Sequence, residues 1–162
     1  MPEQRINTYE GLFLFPQAAA TDLQGATDLV QQILNRGGAE VLSFAKWDER
    51  RLAYEIKGNK RGIYFLAYFK APADRIPVME RDCNLSEQML RFMITRADYV
   101  PQEIIEASDG RTRLADEIRL RSEKVAAGAE ETSRVGRRSE AEPAPADEVD
   151  DIEDEIIDQE DE

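Results

Sequence analysis

All twelve aromatic side chains of this 162-residue chain, six Phe, five Tyr and one Trp, lie at or before Tyr99. Aromatic residues bury the largest apolar areas and dominate cores. The folding unit is therefore expected within residues 1–100. A domain of about that length is a common size and holds one modest core.

Charge follows the same boundary. The net charge is -13, which at first argues against a nucleic-acid binder. Residues 1–100 carry 13 bases and 13 acids, and residues 101–139 carry 8 of each. Residues 140–162 carry 13 acids and no base. The imbalance thus belongs to a terminal segment and says nothing about the domain. Three segments follow: a binding domain over 1–100, a mixed-charge extension over 101–139, helical in part, and a disordered acidic tail over 140–162, too poor in apolar residues to offset chain entropy. The tail has three readings: a solubiliser, an RNA mimic over a basic surface, or a docking segment anchored by Ile152, Ile156 and Ile157.

Several chemistries are demoted at once. With no His there is no imidazole base and no His-ligated metal. Cys83 is the only Cys, so an intrachain disulfide and a Cys-rich zinc site are excluded. One unpaired thiol fits a reducing cytosol. No apolar run reaches the roughly 18 residues of a membrane span, and the polar start does not read as a secretory signal. No P-loop, nucleophile elbow or Gly-rich phosphate cradle occurs. The expectation is a soluble cytoplasmic protein that is not an enzyme, with no cofactor, no metal, no membrane association and no small-molecule substrate.

Hydrophobic periodicity orders the domain. Residues 8–15 read as a buried strand ending at Pro16. A helix follows, with Thr21 as N-cap and Gln24 three residues on. Leu23, Ala26, Leu29 or Val30, and Ile33 or Leu34 form its apolar stripe, and Gly37-Gly38 stops it. A long strand runs from about residue 40 to 57, bent near 46–50, and ends in alternation with Leu52, Tyr54 and Ile56 on one face. Residues 58–62 read as a five-residue hairpin loop with Gly at both ends. Residues 63–70 are a strand broken by Pro72. A second helix covers about 74–83, with Pro77 in its first turn. A last strand covers about 88–96, with Met89, Arg91, Met93 and Thr95 on one face. A further, marginal helix is read over 111–127 from Leu114, Ile118 and Val125.

The order βαββαβ predicts an α+β ferredoxin-like sandwich: a four-stranded antiparallel sheet, two helices on one face, the other face open, and a C-terminal extension. Tyr9, Tyr54, Tyr64, Tyr68 and Phe92 are too many aromatics for a single core, so several are expected on the open face. Such patches mark binding surfaces, unless a later segment folds over them. Arg50, Arg51, Lys57, Lys60, Arg61, Arg91 and Arg96 stand beside those rings. Cations next to stacking rings suit RNA phosphates and unstacked bases; for Lys57, Lys60 and Arg61, ordinary solvated charge is an equal reading. Residues 61–68 also approach the aromatic-strand motif of RNA-recognition domains, with Phe65 and Tyr68 fitting, and Ile63 and Tyr64 not.

From Tyr9 to Arg96 the chain resembles the bacterial small-subunit ribosomal protein S-six family. The resemblance rests on Tyr9-Glu10, on Arg50-Arg51-Leu52-Ala53-Tyr54-Glu55-Ile56, on the aromatic strand opened by Gly62, on Pro72-Ala73-Asp74-Arg75-Ile76 and on Leu90-Arg91-Phe92-Met93. Glu55 stands where the family usually has Pro. The resemblance implies a structural ribosomal role. It implies pairing with ribosomal protein S-eighteen as a heterodimer, binding of small-subunit ribosomal RNA in its central domain, and a part in translation. By residue matching, Tyr9, Glu10, Arg50, Arg51, Tyr54, Tyr64, Arg91 and Met93 are the RNA or partner contacts it implies. Lys60 and Arg61 join the candidate set from the charge pattern. The alternative is a free single-strand RNA-binding regulator that uses the sheet as a stacking platform.

Overall fold

The computed structural model of the chain describes residues 4–138, and the side chains of those up to residue 129. The expected acidic tail, residues 140–162, lies outside the described residues. Strands β1 (Ile6–Pro16), β2 (Glu40–Ile56), β3 (Asn59–Pro72) and β4 (Arg91–Arg96) form one antiparallel sheet in the order β2-β3-β1-β4. Helix α1 (Leu23–Arg36) joins β1 to β2, and α2 (Ile76–Leu85) joins β3 to β4. This is the ferredoxin-like α+β sandwich that the order of elements predicts.

Alternation decides which face is the core. On β1, Tyr9, Phe13 and Phe15 point under the helices, as do Ile63, Phe65, Ala67, Phe69 and Ala71 on β3. They meet the α1 stripe, Leu23, Ala26, Val30, Ile33 and Leu34, together with Met79 and Cys83 of α2. A side-chain period of two puts each whole set on one side. Phe65 holds the centre, stacked on Phe44 at 5.8 Å and edge-on to Phe15 at 5.4 Å. Each such ring stabilises the fold by about 1.5–3 kcal/mol through burial.

The helix ends show where local chemistry prevailed. Asp22, not Thr21, caps α1, its carboxylate accepting from the Gly25 N–H at 2.9 Å. Residues Gln17–Asp22 form a 3-10 turn first, and Thr21 donates to the Ala18 carbonyl inside it. At the other end Gly38 sits at φ 68°. The Gly38 and Ala39 N–H groups return to the Asn35 and Leu34 carbonyls, both at 2.9 Å, the paired bonds of a Schellman stop.

The β2–β3 hairpin differs from expectation. Ile56 pairs with Asn59, so the turn is Lys57-Gly58 alone and not the five residues 58–62. Both turn residues have positive φ, 47° and 80°, as a two-residue type I′ turn requires. The Asn59 amide donates to the Ile56 and Lys57 carbonyls at 3.2 and 3.1 Å. Strand β4 also starts later, at Arg91. From there alternation holds, with Phe92 and Ile94 toward the helices and Met93 exposed. Just before it the expected phase is reversed. Met89 joins the main core and Leu90 joins Leu14 and Leu52 in a second cluster.

The folding unit does not end with the aromatics. One compact unit runs Met1–Val125, so the expected boundary at residue 100 falls inside it. Helix α3 (Gln102–Ala107) follows β4, and α4 (Arg111–Arg138) follows α3. Residues 108–111 pass along the outer edge of β2. The Gly110 N–H donates to the Phe44 carbonyl at 3.0 Å, Asp109 accepts from the Phe44 N–H at 3.3 Å, and Arg111 donates to the Leu42 carbonyl at 2.9 Å. A Cβ at Gly110 would come within 2.9 Å of the Ala45 Cβ, so the close approach needs glycine. The strap thus occupies an edge that would otherwise invite pairing. On α4, Leu114 is buried in the main core and Ile118 packs against it, whereas Val125 is exposed. A second unit begins at Ala126, within α4.

Candidate nucleic-acid and partner interface

The residues that alternate away from the helices are Glu10, Leu12 and Leu14 on β1, Tyr64, Leu66 and Tyr68 on β3, and Arg91 and Met93 on β4. They divide into two territories. Over one, Ile105 of α3 packs with Ala97 and Val100 on Tyr68, Leu66 and Leu42. The segment-cover reading of the aromatic face therefore holds for Tyr68, which is only 7% exposed. Its hydroxyl donates to Glu10, its cross-strand partner, at 2.7 Å. Burial first, and the Glu10 carboxylate second, push the Tyr68 phenol up to about 12. Glu10 is thereby engaged within the fold.

The other territory is an open cleft of about 400 Å³, lined by Leu12, Leu14, Leu52, Tyr54, Ile56, Tyr64, Arg91 and Met93 among others. The pairing of β2 with β3 is irregular between Arg51 and Ile56. That irregularity lets Leu52 and Ile56 turn onto Leu14, Leu90 and Tyr64. Tyr54 reaches β4, where the Arg91 guanidinium lies 5.2 Å from its ring centroid and donates to its hydroxyl. Tyr54 and Met93 remain 59% and 51% exposed. An apolar floor with an aromatic and a cation at its rim is a surface suited to a macromolecular partner.

Beside the cleft the hairpin is strongly basic. Residues 50–61 hold Arg50, Arg51, Lys57, Lys60 and Arg61 against one acid, Glu55. Arg50 makes a long ion pair with Asp48, 3.6 Å. Among the described residues Arg51, Lys57, Lys60 and Arg61 have no ion-pair partner, and Arg51 stands directly across from Arg61. Like charges placed opposite one another cost stability, and a polyanion would relieve them.

The fold brings Tyr54, Tyr64, Arg91 and Met93 together at the cleft and sets Arg50, Arg51, Lys60 and Arg61 beside it. Tyr9 does not join them. It lies under the helices, its ring stacked on Phe69 at 5.8 Å, because it shares the phase of Phe13 and Phe15. Phe92 is likewise on the helix side, and Arg96 is tied to Asp98 and Asn7. The resemblance of 61–68 to an RNA-recognition strand is out of phase: Phe65, which would have to stack on a base, is fully buried. The free stacking-platform alternative loses its principal ring. Sequence reasoning missed Leu12, Leu14 and Ile56 as cleft lining, and Trp47, which is 53% exposed. An aromatic in a strand that bends was the available signal for Trp47.

The family model for ribosomal protein S6 matches residues 8–96, more than half of the chain. The chain belongs to the ribosomal protein S6 family. The small ribosomal subunit protein bS6 of Campylobacter lari is 37% identical over 89 residues, covering 54% of this chain and 72% of that protein. That of Protochlamydia amoebophila is 33% identical over 105 residues, covering 64% and 92%. The crystal structure of 30S ribosomal protein S6 from Thermotoga maritima shares the fold, with a TM-score of 0.55 at 19% identity, over 64% of this chain and 98% of that one. The S6 match ends at Arg96, so the strap and α4 stand outside it. Membership assigns the chain a structural, non-enzymatic role in the ribosome. Among the described residues no helix is long and apolar enough to cross a membrane.

Proposed function

We propose that the chain is a constituent of the small ribosomal subunit in the bacterial cytoplasm. There it binds small-subunit ribosomal RNA, in its central domain, as a heterodimer with ribosomal protein S-eighteen. The observation that carries this reading is the adjacency of two unlike surfaces: an apolar cleft with an Arg91–Tyr54 rim, and a basic hairpin whose Arg51, Lys57, Lys60 and Arg61 have no ion-pair partner among the described residues. The cleft suits a protein and the hairpin suits phosphates. Arg50, Arg51, Tyr54, Lys60, Arg61, Tyr64, Arg91 and Met93 are the proposed contacts, whereas Glu10 is held by Tyr68 within the fold. Tyr9 supports them from the core. Size-exclusion chromatography with purified S-eighteen, followed by retention of a central-domain transcript, tests both parts. The pair is expected to co-elute, and to retain RNA more strongly than either protein alone. A tagged chain that stays at the top of a sucrose gradient while small subunits sediment normally overturns the reading.

A further inference from the structure

Trp47 is held outside the sheet by a bulge. Lys46 pairs with Phe65 and Asp48 with Tyr64, so Trp47 is the extra residue of β2 between them. A bulge re-aims the side chain it carries. Here it sends an indole into solvent, 53% exposed, with its ring edge-on to Tyr64 at 5.7 Å and an interplanar angle of 85°. A perpendicular contact props the indole upright. Tyr64 lines the apolar cleft on one side, and Trp47 lines a second groove of about 270 Å³ on the other. That groove lies between β2 and the strap, and its other residues include Lys46, Leu66, Ser108, Asp109, Arg113 and Glu117.

The lining says what fits there. The charges nearest the floor are already matched: Lys46 bonds Glu117 at 2.6 Å and Glu49 at 3.1 Å, and Asp109 holds Arg111 at 2.9 Å. Arg113, on the exposed side of α4, has no ion pair or hydrogen-bond partner among the described side chains. The groove therefore offers one large π-surface and one unspent guanidinium on a wall of paired charges, Ser108 and the apolar Ala45, Leu66 and Ala107. An apolar protein side chain would find its counterpart in the neighbouring cleft, not here. A nucleotide carries the matching pair, a flat base and a phosphate.

We propose that Trp47 is a stacking site for one unpaired base of RNA, with Arg113 of α4 taking an adjacent phosphate. The inference rests on the RNA-binding reading above and adds to it a contact on the other side of Tyr64, built from a bulge and from a segment beyond residues 8–96.

Trp47 is the sole Trp of the chain, so its emission reports on this site alone. The full chain, alone and paired with S-eighteen, is titrated with a central-domain transcript of small-subunit ribosomal RNA. RNA retention on a filter is measured in parallel. Stacking is expected to quench the indole strongly, with the same midpoint as retention. Trp47→Ala is expected to weaken retention about 5- to 150-fold, Trp47→Phe to restore much of it, and Arg113→Gln to lower the salt slope by about 1. Circular dichroism melts confirm that the variants fold. Retention without quenching, together with an unaffected Trp47→Ala, overturns the proposal and leaves the RNA-binding reading standing. Quenching by S-eighteen alone assigns Trp47 to the protein partner and overturns it likewise. No retention by the pair under any condition overturns the RNA reading itself, and this proposal with it.

Discussion

The Lys46 ammonium of β2 reaches the Glu117 carboxylate of α4 at 2.6 Å across 71 positions of sequence. Glu117 is shared with Arg121 at 2.7 Å, and Arg121 in turn holds Glu49 at 3.1 Å and donates to the Ala20 carbonyl at 3.1 Å. These four side chains fasten α4 to β2. The Lys46 hydrogen bond holds the Glu49 carboxyl below the usual carboxylate range. For Glu117 burial favours the neutral form, but the hydrogen bonds from Lys46 and Arg121 outweigh it and its carboxyl is also lowered. A lowered carboxylate stabilises the fold fully above its unfolded pKa of about 4.3 and stops doing so as pH falls through the folded value. The fastening is therefore expected to be intact at neutral pH and to weaken below about pH 4. Glu117→Gln should cost about 1–2 kcal/mol at neutral pH. The gap between variant and parent melts should close on acidification. A gap independent of pH would show that the charge of Glu117 contributes nothing.

Leu114 is buried among the aromatics of the main core, fifteen positions past the last aromatic residue of the chain. Leu114→Ala is expected to destabilise the domain by about 2–5 kcal/mol, the cost of emptying a core position. Urea unfolding measures it. A chain ended at residue 100 should lose this contact and also uncover Tyr68, and so should melt well below the full chain. If the shortened chain melts with the full one, the strap is an appendage and not part of the folding unit.

Most of the fold was legible because it is written in periods. The strands alternate, the α1 stripe recurs at helical spacing, and Pro16, Pro72 and Gly37-Gly38 punctuate them. Phase was harder. Period two says that Tyr9 and Phe65 each share a face with their odd-numbered neighbours. It does not say which face the helices cover, and that choice buried both. The strap was illegible for a different reason. With α3 and α4 on either side of it, Ile105 and Leu114 are the only buried residues described beyond residue 100, a stripe too thin to distinguish from a marginal solvent helix. Its remaining hold comes from the Lys46–Glu117–Arg121 contacts and from backbone bonds at Gly110, which leave no pattern in hydropathy. At the candidate interface, the cations and Tyr54 were readable from composition along one strand. Trp47 depended on a bulge, and a bend read from sequence says neither where the extra residue falls nor which side chain it turns outward.

The hairpin turn carries strain that a single change should relieve. Lys57 occupies φ 47°, a left-handed conformation that costs most side chains about 1–2 kcal/mol. Asn tolerates it better, and Asn-Gly is the favoured pair for a type I′ turn. Lys57→Asn is therefore expected to stabilise the domain by up to about 1 kcal/mol, whereas Gly58→Ala, at φ 80°, should destabilise it by about as much or more. Thermal melts of the two variants should move in opposite directions. A shift of the same sign in both would contradict the turn assignment.

Arg51 and Arg61 face each other across the β2–β3 pair with no acid between them. In the free protein this juxtaposition is a cost, of the order of 0.2–1 kcal/mol for a like-charged pair. It is screened by salt, since the Debye length falls to about 3 Å at 1 M. If RNA lies along the hairpin as proposed, both cations would gain a counter-charge and the same pair would become an asset. Stability and binding should then respond oppositely to one substitution. Arg51→Gln is expected to raise the melting temperature slightly at low salt, with no gain at high salt. It should weaken RNA retention by the S-eighteen pair and lower the salt slope by about 1. Arg61→Gln should do the same, and the double variant should gain little further stability, because the repulsion is already gone after the first change. A variant that binds RNA with an unchanged slope would place the phosphate track elsewhere on the domain.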